Sequence, residues 1–396
     1  MLEELFSRFN KRSQTRFVNR PLPFVIVVML VVGTIMTYGG LVNMSMNLGD
    51  ANVQSSETAK YLFVNKAGKI VIDASRYQSV GSFSEGLAAV LDPRKGWGFI
   101  DKTGAVVIQP EFESSLEFRD GLAPVVLAGK WGFINKTGDL IIKNQFEWVS
   151  GFSEGVAIVQ RSPGTATQNM ARLPLGQTIT EGFTFSTDYS TSELSADNGE
   201  FLVIDKSGKT LVNLTEKGLG IDTDEARFSE GFLGVYSRSL EAWGYINKSF
   251  EFVIKPKFRS VAPFSEGLAK VAVLENDEEK VAFIDHSGSF TLLPLFNTDF
   301  NFRRNASDFS EGLAALSEGL RPSRTSGETF VYIDKTGRIV LETQFFYASA
   351  FHEGLASVYD DKSNRWGFID KTGKVVIPLK YEVANDFSEG LALVVN

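Results

Sequence analysis

The chain has 396 residues, 43% of them hydrophobic, with 36 glycines, 33 phenylalanines, two histidines and no cysteine. That composition rules out disulfides, thiolate metal sites and a cysteine nucleophile. The net charge of −8 divides into +3 for residues 1–20 and −11 for the rest, and an acidic body of that kind argues against a nucleic-acid partner, whose phosphates demand a basic surface.

Residues 1–20 form a basic leader, with Arg8, Lys11, Arg12, Arg16 and Arg20 set against Glu3 and Glu4. Residues 21–42, "PLPFVIVVMLVVGTIMTYGGLV", carry no charge. At about 1.5 Å per residue such a helix crosses a hydrocarbon core of about 30 Å, so the sequence predicts a transmembrane helix. A cleaved signal peptide is the rival reading. Against it stand the long basic leader and the absence of an A-x-A site in "NMSMNLGDANV". The positive-inside rule puts the N-terminus in the cytoplasm and everything after Val42 in the periplasm or outside the cell. Residues 43–60, polar and aperiodic, read as a tether.

From residue 61 to 396 the chain repeats itself. A turn, "NKAG" at Asn65 and "DKTG" at Asp101 among its forms, recurs eight times. A second marker of the type "FSEGL" follows each turn, from Phe83 to Phe387. The marker glycines lie 34 to 45 residues apart except for one interval of 76, a period that signals a repeat array. Within a unit, alternating "WGFI" leads into a turn opened by Asp or Asn and closed by glycine, and "VVI" begins the return strand. A "GLAxV" strand follows, so each unit reads as a three-stranded meander that cannot cover its own apolar face.

These residues resemble the WG-repeat family, named for the dipeptide seen here at Trp97-Gly98, Trp131-Gly132, Trp243-Gly244 and Trp366-Gly367. The four other units depart from it, with Leu62-Phe63 or its neighbour Tyr61-Leu62, Phe201-Leu202, Val281-Ala282 and Phe330-Val331 in its place. The resemblance implies an envelope or surface repeat protein and names no reaction. The array begins and ends in the middle of a unit, so Leu391–Val395 beside Leu62–Asn65 would close a propeller-like ring and remove two sheet edges. An open β-superhelix is the alternative.

The repeated acids Glu85, Asp120, Glu154, Glu230, Glu266, Glu311, Glu353 and Glu389 invite a glycosidase reading, but catalysis needs two carboxylates in unlike settings. They are read instead as acceptors of backbone N–H groups in the turn before their own glycine, the tryptophans as core and the turn lysines as solvated tips. Asp222, Asp224 and Glu225 are too irregular for a calcium loop, and no cofactor is expected. In the fifth turn, "NKSF" puts Phe250 where glycine stands elsewhere. It either holds a positive φ or changes the turn, and if the turn is kept Phe250→Gly should stabilise the fold by about 1 kcal/mol.

Four junctions between "GLAxV" and the next WG-type strand are expanded, the longest being the insertion 160–200 with Phe183, Phe185 and Tyr189 at its middle. Identical units should send all four out on one side, where repeat proteins carry function. The sequence thus points to a non-enzymatic interaction or scaffold protein. It would be anchored in the cytoplasmic membrane through residues 21–42 and bind a protein or cell-envelope glycan partner with its repeat domain. A carbohydrate-active envelope enzyme and the ectodomain of a membrane sensor are the other readings.

Overall fold

The computed structural model describes residues 59–162, 199–275, 278–297, 306–317 and 329–396. The leader, the expected membrane span 21–42, most of the tether, and Phe183, Phe185 and Tyr189 lie outside the described residues. Among the described residues no helix is long and apolar enough to cross a membrane.

The repeat region folds into eight sheets arranged as the blades of a β-propeller, within the compact unit Leu48–Asn396. Blade I is the closure. Its strands are Val383–Ala384, Leu391–Val395, Tyr61–Asn65 and Ile70–Asp73, in that spatial order. Tyr61 to Asn65 pair antiparallel with Val395 to Leu391 in unbroken register. The ring expected from the sequence is therefore closed by hydrogen bonds between the two ends of the array, and the open superhelix is excluded.

The three-stranded unit needs correction. Seven of the eight sheets have four strands, the extra one being a two-residue piece such as Ser79–Val80 or Val383–Ala384 ahead of each marker. Two residues are too few to show alternation, which is why the pattern hid them. Blade VII has three strands, with the bridge Ala306↔Leu316 standing at the fourth position. Blades II to VIII follow in chain order, each running short strand (the bridge in blade VII), GLAxV strand, WG strand and return strand. The GLAxV strands are mostly buried, as at Leu391–Val395, whereas return strands such as Leu140–Phe146 expose most residues and form the outer rim.

The glycine of the WG dipeptide has a steric cause. In blade II Trp97 pairs with Phe112 while Phe99 pairs with Ile108, so the return strand spends four residues against two and arches over Gly98. A Cβ there would sit 2.6 Å from the Ile108 carbonyl oxygen, and Gly132, Gly244 and Gly367 meet the same oxygen of Ile142, Ile254 and Ile377 at 2.6 Å. Where the position holds Leu62, Leu202 or Val331 the arch is absent and the return strand is cut to four residues. Ala282, with the smallest side chain after glycine, still permits the arch.

The core is spread over eight apolar layers, one between each pair of neighbouring blades. In seven of them the phenylalanine of a marker packs on an aromatic ring in the WG strand of the preceding blade, as Phe83 does on Phe63 and Phe118 on Phe99, with ring centres 4.6 to 5.0 Å apart. In the eighth layer the preceding blade offers Val203. There Phe250 keeps the common turn, donating its N–H to the Asn247 carbonyl at 2.9 Å with φ of 60°, and its ring approaches Phe228 at 6.5 Å. Of the two alternatives drawn from the sequence the first holds, since the turn is kept and φ is positive, and the side chain packs where an aromatic partner is missing.

Candidate functional site

The two faces of the propeller differ. On one lie the marker loops and the hairpin turns, because each GLAxV strand begins opposite the end of the WG strand that leads into the turn, as in Leu87↔Asp101 and Ala123↔Ile134. Each marker is a two-residue hairpin closed by reciprocal bonds such as Ser84 to Leu87, with its acid at φ of 52–54° and its glycine also positive. A glutamate in this left-handed region is strained, and its contacts account for the strain. Every acid reaches the next blade: Glu85 accepts the N–H of Gly121, Asp120 that of Gly155, Glu154 that of Gly231, and so on until Glu389 accepts that of Gly86. Eight such bonds, 2.6 to 3.2 Å long, run around the ring.

Glu85, Glu154, Glu266 and Glu389 therefore do not serve their own turns, as the sequence suggested, but join neighbours. Six of the seven turn lysines are not free tips. Lys66, Lys102, Lys136, Lys248, Lys335 and Lys371 each lie 3.0 to 3.2 Å from the acid of the preceding blade, and His286 takes this role beside Glu230 at 2.7 Å. Marker serines add a third latch, six of them donating to the carbonyl of the next blade's phenylalanine at 2.6 to 2.7 Å. At Glu266, Glu311 and Glu353 burial raises the carboxyl pKa. The glycine N–H and the lysine outweigh it, and each lies below its ordinary range.

One constellation tests for a catalytic triad. Asp386 accepts the hydroxyls of Ser349 and Ser357 at 2.6 and 2.9 Å, with His352 3.7 Å from its other oxygen. The hydroxyls donate to the carboxylate, so the imidazole is not placed as their base and the order needed for nucleophilic attack is missing. Among the described residues no group of three or more His, Asp or Glu is placed to hold a metal ion.

The opposite face carries the junctions. The expanded ones grow from the pairs Arg161↔Glu200, Glu275↔Glu278, Ser317↔Phe330 and Asp360↔Arg365, each at the ladder end away from the markers. The eighth junction is the meeting of the described termini, where Lys60 and Asn396 exchange N–H to carbonyl bonds of 3.0 and 3.1 Å. On this face the tryptophans are less enclosed than a core reading implies. Trp97 is buried, but Trp131, Trp243 and Trp366 are partly exposed. Trp366 belongs to a row that sequence reading missed, because its members lie on four strands. Tyr347 pairs with Tyr359, Tyr359 with Trp366, and Trp366 with Tyr381. Aligning the repeats position by position is the signal that could have found it, since blade II has Ser79, Leu91, Trp97 and Phe112 at the same places.

Six segments, residues 63–91, 97–131, 131–161, 243–273, 332–362 and 366–396, match the WG containing repeat family. The units beginning at Phe201 and Val281, both without the dipeptide, fall outside those matches. No curated protein matches the chain. Among solved structures, it is similar to the computationally designed Ika8 protein, at 11% identity over 81% of this chain and 96% of that one, with a TM-score of 0.45. It is also similar to Porphyromonas gingivalis dipeptidyl peptidase 4, at 11% identity and a TM-score of 0.48. That match covers 82% of this chain and only 57% of the peptidase. Apo AztD from Citrobacter koseri shares 11% identity over 80% of this chain and 93% of that one, with a TM-score of 0.37. At this distance none of them bears on function, and the propeller rests on its own strand pairing.

Proposed function

We propose, from the premise that the chain carries six WG containing repeats within an eight-bladed propeller, that it is a non-enzymatic interaction protein. It is held at the cytoplasmic membrane by residues 21–42 and binds a protein or envelope glycan outside the cytoplasm with its junction face. One observation supports this above the others. The eight repeated acids, the chain's best candidates for catalysis, are all engaged in blade-to-blade bonds to glycine N–H groups. Their settings are alike, so no pair is differentiated into a protonated acid and an ionised base. Variation is concentrated on the other face, where four junctions are expanded and no two are the same.

Two experiments test the reading. A reporter enzyme active only outside the cytoplasm, fused after Asn396, should be active; activity of only a cytoplasmic type of reporter ends the anchoring claim. A variant lacking Pro163 to Ala196 should melt as the parent does but lose partners in a pull-down from solubilised envelope. Undiminished capture by that variant removes the longest junction from the site.

A further inference from the structure

Blade VIII departs from the repeat on the junction face in a concerted way. Tyr347, Tyr359, Trp366 and Tyr381 lie directly opposite one another on adjacent antiparallel strands, and residues so paired project to the same side of a sheet. The rings of Tyr347, Trp366 and Tyr359 form a connected series, with centres 5.5 Å apart for Tyr347 and Trp366 and 5.3 Å for Tyr359 and Trp366. Tyr381 is buried at the root of the row, whereas Tyr347, Tyr359 and Trp366 are partly exposed.

A fifth ring extends the row into solvent. Phe346 stacks edge-on against Tyr359 at 6.3 Å and is 42% exposed. Its N–H bonds the carbonyl of Tyr359, and the residues making the equivalent bond in five other blades are Gln78, Glu113, Glu147, Arg259 and Glu382. An exposed phenylalanine at a position otherwise given to polar residues is not required by the fold, since the same backbone bond forms without it.

The adjoining hairpin supplies a polar rim. Tyr359 donates its hydroxyl to Asn364 Oδ1 at 2.6 Å, Arg365 donates to the Asn364 carbonyl, and Asp360 accepts the Ser363 N–H. The loop is thus ordered by its own side chains before any ligand arrives. Its charges cancel, with Asp360 and Asp361 against Lys362 and Arg365, so the rim does not select an ion.

We infer that the aromatic row of blade VIII, from Phe346 across Tyr359 to Trp366 with its Asp360–Arg365 rim, is a binding site for a neutral oligosaccharide. A pyranose ring presents a face of C–H groups that lies against an aromatic ring and an edge of hydroxyls that needs planar donors and acceptors, and this patch offers both, side by side, without net charge. The inference deepens the proposed function by choosing glycan over protein as ligand at this blade, and it rests on that reading. A proline-rich peptide, which also docks on aromatic rings, is the competing occupant.

Calorimetric titration of the full chain in detergent decides between them, with three probes: a β-1,4-linked N-acetylglucosamine tetrasaccharide, a β-1,4-linked glucose tetrasaccharide and a decaproline peptide. At least one saccharide should bind, Phe346→Ala should weaken it tenfold or more, and Asn364→Gly, which preserves a residue tolerant of the positive φ there, should weaken it several-fold. Both variants should melt with the parent. Phe252→Ala, another exposed aromatic on blade V, should bind unchanged. No heat from either saccharide at millimolar concentration, binding unaffected by Phe346→Ala, or binding of the peptide alone would each overturn the site. Those failures would leave the envelope pull-down intact, whereas a wrong proposed function empties the pull-down.

Discussion

The marker face and the junction face of this propeller obey opposite rules. On the marker face eight units make the same bond, acid to the glycine of the next blade, six add a lysine beside that acid, and His286 stands in the lysine's place in a seventh. On the junction face each blade differs from the next. The comparison teaches that in this chain repetition marks architecture and departure marks the place to look for function. It also explains why a repeated carboxylate is poor evidence of catalysis here, since the eight marker acids are blade-to-blade latches.

The sharpest break of that comparison comes from a repeated residue. Gly98→Val would drive a Cβ to 2.6 Å from both the Ile108 oxygen and the Pro110 nitrogen. Both are backbone atoms, which cannot step aside as a side chain does. A loss of about 3 kcal/mol in denaturant unfolding is expected, against less than about 0.5 kcal/mol for Phe346→Ala on the junction face. Equal losses would mean that the faces do not differ as argued.

How much of this was legible in the sequence follows from distance along the chain. The turns, the period and the closing strand were readable because turn residues and glycines mark them locally, and Tyr61–Asn65 and Leu391–Val395 each retain a strand's own pattern. The fourth strand was not, being two residues long. The latches were not either, because Glu85 finds Gly121 and Glu154 finds Gly231, and no local pattern reveals a partner one blade away. The lysines misled for the same reason. Of the candidate site, the placement of the junctions on one face was legible from the identity of the units, but the aromatic row was hidden by its spread over four strands.

A second break concerns the layer between blades IV and V, where Val203 stands for an aromatic ring and Phe250 has moved in from the turn. Phe250→Gly relieves a positive φ worth about 1 kcal/mol and empties a half-buried site worth about 2 kcal/mol. A net loss of about 1 kcal/mol is expected, the reverse of the sign that the turn alone suggests. Adding Val203→Phe should recover it. In a double-mutant cycle the two changes should couple strongly, and simple additivity would show that Phe250 does not substitute for the missing ring.

Tyr381 offers a gain instead of a loss. Blades II, III and V carry Phe112, Phe146 and Phe258 at its position. The Tyr381 hydroxyl is buried and has no hydrogen-bond partner among the described residues. Tyr381→Phe should therefore stabilise the propeller, by up to about 1 kcal/mol. A clear fall in unfolding free energy would mean that the hydroxyl is satisfied.

The smallest effect is the most diagnostic of the latch ring, because it carries a sign in pH. Burial pushes the Glu311 carboxyl up, but the Lys371 ammonium and the Gly354 N–H hold it below its ordinary value of 4.5. A carboxylate whose folded pKa is depressed contributes stability that is complete above its unfolded pKa and is lost as pH falls through the folded one. The pair is about a third exposed, with Glu311 at 30% and Lys371 at 43%, so solvent screening keeps its contribution below about 1 kcal/mol. Glu311→Gln retains an acceptor for the Gly354 N–H but cannot ionise. At pH 7 it should unfold slightly more easily than the parent, and the gap should close as pH drops below 4.5. Raising salt at pH 7 should narrow the same gap, since the Lys371 attraction is screened while the neutral hydrogen bond is not. A gap that stays constant across this range would mean that the carboxylate acts only through its shape, and the ring of charge would have to be dropped from the account of how the blades hold together.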